Sequence, residues 1–369
     1  MTQPNIRLII IIFEIILAFA LSIAIAYLGL GSVAWIFGGM GGGLIAIKCY
    51  QYITKKTFKP HKIGRQIGQA MVGLSIGFAI AENNLIAASA QLPLFIFLTV
   101  FMFVCGGAIG YAYARISRTN LLNAMLATVP GGVATMSSIA AEYNRNVSLV
   151  AMVQTLRITS VILIIPLIAG TSGTITNKPI FALQDYAIAF NPIYLIELTL
   201  AIICAIVGVK IAIKLKIPAS SFFGTLIVGI IFNHSISAFN LVPNFSFTPP
   251  QIISILGQIL LGITVGEAWS EKVYLTGKSL IYALMAVALT IVSGLIAATI
   301  AFLITSWDWL TCMLITAPGG STEMILVALA LDRNPEIVTV AHTVRLMALN
   351  LSLPLWIFWL RKWEGNVGH

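Results

Sequence analysis

The chain has 369 residues, of which 59% are hydrophobic and 9% charged, with a mean hydropathy of +0.99. A soluble domain carries about 25% charged residues, so this composition excludes one and makes lipid the solvent for most of the chain. The net charge of +9 is then a matter of basic cytoplasmic loops, and no segment is long or polar enough to be a nucleic-acid-reading module, so no nucleic-acid partner is expected.

In chain order, apolar segments long enough to cross a bilayer fall at roughly 8–28, 33–53, 64–90, 92–115, 119–141 and 147–170. A polar stretch, TSGTITNKPIFALQDY, follows. Further segments fall at roughly 192–214, 218–238, 251–270, 279–304, 308–331 and 336–360. Backbone groups in lipid have to be satisfied within each segment, which predicts helices throughout. The first segment lacks a short apolar core ending at a small-residue cleavage site, so it reads as a retained helix. Cys49, Cys105, Cys204 and Cys312 are scattered through apolar segments with no disulfide or zinc spacing, and buried packing is expected for all four.

The chain repeats itself. TVPGGVATMSSIAAEYNRNVSLVAMVQTLRITSVILIIPL begins at Thr128, and TAPGGSTEMILVALALDRNPEIVTVAHTVRLMALNLSLPL begins at Thr316. They align without a gap at an offset of 188, matching Pro130 with Pro318, Gly131 and Gly132 with Gly319 and Gly320, Arg157 with Arg345 and Pro166 with Pro354. Upstream, GQAMVGLSIG from Gly68 matches GQILLGITVG from Gly257. Residues 1–170 therefore form a first repeat, 171–190 an extracytoplasmic linker, and 191–369 a second repeat.

Charge counting chooses a topology. Twelve full crossings put 12 basic residues inside and 7 outside, leaving aside Arg157 and Arg345. If each PGG segment instead enters and returns to the same side, each repeat has five crossings, the second is inverted, and the split becomes 17 to 2 with both termini cytoplasmic. The positive-inside rule prefers the second arrangement. Proline followed by two glycines also breaks a helix. The expected fold is thus an all-α polytopic membrane protein of two inverted repeats, five plus five crossings with two re-entrant segments; twelve full crossings are the alternative.

The two PGG…RN…R…P units resemble the bacterial AbrB-type membrane-duplication family, whose members carry labels such as AbrB family regulator and ammonia monooxygenase. The resemblance implies a bacterial inner-membrane protein, similar in fold to inverted-repeat cation/proton antiporters and anion symporters. In the family pattern PGG is followed three residues later by Glu, then Met. Gly320 to Met324 (GSTEM) fits, whereas Gly132 to Met136 (GVATM) has Thr135 in place of Glu. The oxygenase label requires a cluster of metal ligands, and His61, His234, His342 and His369 are not at ligand spacing. No metal, cofactor or enzymatic activity is expected.

Arg157 and Arg345 sit about ten residues into their helices, where a charge costs at least about 2.5–3.5 kcal/mol. Such residues are substrate-site candidates, or arginines locking helices through a carbonyl or carboxylate. Gly131, Gly132, Gly319 and Gly320 would each open a half-helix whose free N–H groups attract anions, with Ser321, Thr322 and Gln154 beside them. Glu323 and His342 are the proton-coupling candidates; Glu323 could equally pair with an arginine, and His342 could simply be a packed, hydrogen-bonded residue. Glu14 and Glu197 fit snorkelling or helix pairing. Glycines at Gly38 to Gly43, Gly73/Gly77, Gly106/Gly110 and Gly262/Gly266 fit close helix packing, a sliding surface or a homodimer contact. The expected function is secondary transport of a small anion, with proton coupling as an option; the alternatives are a cation/proton exchanger using Glu323 and a membrane sensor.

Overall fold

In the computed structural model residues 3–55, 62–81, 91–171, 191–238, 247–270 and 277–367 are described. Residues 172–190 of the linker, with His61, Lys178 and His369, lie outside them. Fourteen α-helices are present among the described residues: α1 (Gln3–Ile25), α2 (Ala34–Thr54), α3 (Lys62–Ala81), α4 (Leu92–Ser117), α5 (Leu121–Thr128), α6 (Val133–Glu142), α7 (Val147–Thr171), α8 (Pro192–Lys214), α9 (Ser220–Ala238), α10 (Gln251–Glu267), α11 (Gly277–Ile304), α12 (Trp309–Thr316), α13 (Ser321–Ala330) and α14 (Pro335–Val367). Six helical stretches are long and apolar enough to cross a membrane. The first, 10–54, is α1 and α2 joined through a short π turn with Gly29 and Gly31 at positive φ. This is an all-α polytopic membrane protein.

The helices sort into two compact units that cut across the sequence halves. One holds α1 to α3 with α8 to α10; the other holds α4 to α7 with α11 to α14, apart from the 329–336 turn.

Glycine sets the packing of the first unit. A Cβ at Gly73 would strike Phe222 O and Thr225 Oγ1, and one at Gly77 would strike Leu226 O, so α3 lies directly on α9. Gly39 and Gly43 of α2 meet Gly262 and Ile263 of α10 in the same way. Without Cβ atoms the backbones approach closely, which drives helix association in lipid where apolar burial does not. The glycine faces expected to permit close packing do so here. An edge-to-face group of Phe78, Phe232 and Phe247, tied by Asn233 to the Phe247 backbone, closes one end.

In the second unit α4 packs on α11 and α5, and α7 on α5, α6, α11 and α12. Its boundaries repeat at the offset of the sequence match: α5 and α12 begin at 121 and 309, α6 and α13 at 133 and 321, α7 and α14 at 147 and 335. The caps follow suit. Asn120 accepts from Leu122 N at 3.0 Å and Asp308 from Thr311 N at 3.2 Å, each satisfying an orphan donor of its helix.

One expectation needs correction. Only Cys312 is buried; Cys105 and Cys204 are half-buried and Cys49 exposed, because they stand on outward faces where lipid is the solvent. Of the two accounts offered for Glu14, helix pairing agrees with its 2% exposure and snorkelling does not.

Candidate functional site in the second unit

Each PGG interrupts a helix. Val129 and Ala317, which precede the prolines, are forced to extended backbone at ψ 132° and ψ 127°. Gly132 then takes φ +81°, open to glycine at low cost, and α6 starts after it. At the second break the constraint differs: Gly320 is not at positive φ, but a side chain there would collide with the Glu323 carboxylate.

A helix that stops inside a membrane leaves carbonyls without partners. Helix α7 supplies them for the first break: Gln154 Nε2 donates to Leu126 O at 2.8 Å and Val129 O at 3.0 Å, and Arg157 Nη1 donates to Thr128 O at 3.0 Å. Helix α14 does the same for the second: His342 Nε2 bonds Leu314 O at 2.8 Å, while Arg345 donates to Ala317 O at 2.7 Å and Gly319 O at 3.1 Å. Arg157 Nη2 also donates to Gln154 Oε1 at 2.6 Å, and Arg345 Nη2 reaches His342 Nδ1 at 2.7 Å. A guanidinium only donates, so Nδ1 must accept and the imidazole proton sits on Nε2. Both arginines thus face the negative, carbonyl-bearing end of the first half-helix.

Thr128 and Thr316 anchor the same ends sideways, donating to Gly106 O at 3.1 Å and Gly294 O at 3.0 Å. Those glycines also make room for Pro130 and Pro318: a Cβ would come within 3.3 and 3.0 Å of the ring. Met136 and Met324 fold over Gly131 and Gly319, where a side chain would strike them. The sequence reading gave no role to these threonines and methionines, nor to Gly294. The constant offset was the signal that would have found them.

The second half-helices differ. At α13, Thr322 Oγ1 donates to Glu323 Oε2 at 2.9 Å, and the carboxylate lies back over Gly320, with Ser321 half-buried beside it. A carboxylate there sits on the positive helix end. Neither arginine is hydrogen-bonded or ion-paired to Glu323. At α6 Thr135 holds the equivalent place, Gly132 has no side-chain cap bond, and a Cβ on it would meet nothing within 4 Å.

Arg157 is 1% and Arg345 5% exposed. Among the described residues their hydrogen bonds go to carbonyls, an amide oxygen and an imidazole nitrogen. Arg157 Nε has no partner. Arg345 lies on the wall of a small cavity formed by Phe95, Leu98, Thr99 and Met102 of α4 with Ile315, Thr316 and Ala341; Arg157 does not line that wall.

Fold and site together define a membrane protein with two interrupted helices, each clamped by a basic residue and a hydrogen-bonding residue three positions before it on the next helix. The chain belongs to the AbrB family: the family described as transition state regulatory protein AbrB matches residues 35–361. Among similar proteins are YhjN of Bacillus subtilis (strain 168), 23% identical over 304 residues spanning 78% of this chain and 76% of that protein. A protein named as a regulator, AbrB, from Escherichia coli (strain K12) is 22% identical over 294 residues, 78% of this chain and 79% of its own.

Proposed function

We propose that this protein is a secondary transporter of a small anionic solute, a carboxylate or phosphate-like species, in a bacterial cytoplasmic membrane. The observation that carries the reading is the pair of buried guanidiniums bonded only to neutral groups. A buried charge without a counter-charge is costly, and an arriving anion relieves it. Arg345 borders a small cavity with a mostly apolar wall, which has to widen before it admits a solute.

The half-helix N-termini divide the work. Glu323 already serves as the anion of α13, whereas α6, with Thr135 in that place, has its positive end open to the solute. Gly131, Gly132 and Gln154 border that end. In this reading the repeats are inverted, each with five crossings and one re-entrant PGG segment, which the 17 to 2 charge split supports. Both termini are cytoplasmic. No covalent bond is made or broken in the cycle, and no cofactor takes part.

The test is uptake of radiolabelled phosphate and small carboxylates into proteoliposomes. Saturable accumulation of at least one anion, lost in Arg345→Ala and retained in a distant surface variant, is expected. Proton-driven movement of a cation that depends on Glu323, with no anion uptake, would replace this reading with cation/proton exchange. No transport of either kind would leave the sensor reading.

A further inference from the structure

We infer that Glu14 and Glu267, in the first compact unit, form a proton-binding pair distinct from the arginine site. Glu14 lies on α1 and Glu267 is the last residue of α10; they are 2% and 5% exposed. The helices α1 and α10 pack on each other and both on α2. A Cβ at Gly42 of α2 would lie 2.6 Å from Ala18, one turn from Glu14, and one at Gly266 would lie 2.8 Å from Leu44 N. The same stretch of α2 therefore seats both glutamate-bearing helices, and Ala46 and Ile47 just beyond it are buried. Gly42 lies between Met40 and Leu44, the residues that Gly266 meets, so the two glutamate-bearing helices reach α2 at the same level.

Among the described residues no positive group answers them. The basic side chains described on the elements packed here are Lys48 of α2, exposed, and Lys62 and Arg65 of α3, exposed and half-buried; the side chain of Arg7 on α1 lies outside the described residues. None is hydrogen-bonded or ion-paired to either glutamate, and Glu14 Oε1 has no hydrogen-bond partner of any kind. Two ionised carboxylates side by side away from water are each desolvated and repel each other. A bound proton removes one charge and turns an oxygen into a donor, so the pair becomes a neutral acid beside a carboxylate, or two acids. Protonation requires only water as the source and leaves no other bond changed. The pair is placed where two helices of opposite repeats meet α2, so its charge state acts on that helix contact.

Infrared difference spectroscopy on purified full-length protein reads this directly through the carbonyl stretch of a protonated carboxylic acid. At neutral pH the wild type is expected to show that band and to lose it on alkalinisation. Glu14→Gln and Glu267→Gln, which keep shape, should each reduce it, and the double variant should lack the pair's component. The wild-type measurement stands even if a variant fails to fold: absence of the band at neutral pH overturns the inference, as does a band unchanged in the double variant. Anion uptake is not part of this readout, so its failure and that of the transport proposal are separable.

Discussion

At the residue scale, Arg345 holds Ala317 O, Gly319 O and His342 Nδ1 together. Arg345→Ala leaves these acceptors buried without donors, each costing about 1–3 kcal/mol. A loss of about 3–5 kcal/mol is expected by thermal or denaturant unfolding in detergent, together with loss of anion binding. Arg345→Lys keeps the charge without the fork and should lose less of both. His342 is locked as a donor to Leu314 and an acceptor from Arg345, the work Gln154 does in the first repeat. His342→Gln should therefore cost under about 1.5 kcal/mol and leave the pH dependence of uptake unchanged; a vanished pH dependence would make His342 the proton carrier. Thr135→Glu supplies α6 with the carboxylate that α13 already has. It should leave the fold intact and remove the thermal shift produced by small anions, since the open helix end is then filled from within.

At the element scale, the helices of the first unit approach as closely as their glycines allow. Gly77 faces Leu226 O and Gly229 across α9, so Gly77→Val should cost about 1–3 kcal/mol in unfolding experiments by overpacking. Gly64 opens the same helix α3 with nothing within 4 Å of an added Cβ. Gly64→Ala should be neutral or stabilising by up to about 1 kcal/mol, since alanine favours the helix. Equal losses at the two positions would mean that α3 does not pack on α9 as described. The interrupted helices follow the same logic in reverse: proline and glycine weaken α5 and α12 at their ends, and side chains from α7 and α14 repair the open carbonyls.

At the scale of the whole molecule, orientation in the membrane is the property still to be measured. In a background without the four native cysteines, single cysteines at 59 and 214 should resist an impermeant thiol reagent added outside intact cells, and those at 178 and 244 should react. Labelling of position 214 from outside would restore twelve crossings.

Much of this was legible in the chain itself. Helix placement followed from apolar length, because lipid admits only internally bonded backbone. The breaks followed from proline and glycine, whose restrictions are local. The correspondence of Arg157 with Arg345 and of Gln154 with His342 followed from the offset alone. What the sequence left open was where each polar group would find its partner. Arginine at mid-helix fits a solute, a carboxylate or a carbonyl equally well; only the fold brought Thr128 O, Ala317 O and Gly319 O within reach of the guanidiniums and kept Glu323 apart from them. Glu267 carries no motif, and the pairing inferred with Glu14 depends on two helices more than 200 residues apart packing on neighbouring glycine rows of α2, Gly38 and Gly42 for α1 and Gly39 and Gly43 for α10. The sequence by itself determined the helices, their interruptions and their duplication, because these depend on backbone chemistry and neighbours in the chain. The tertiary structure decided which charges are answered and which are not, because that depends on contacts between helices far apart in sequence.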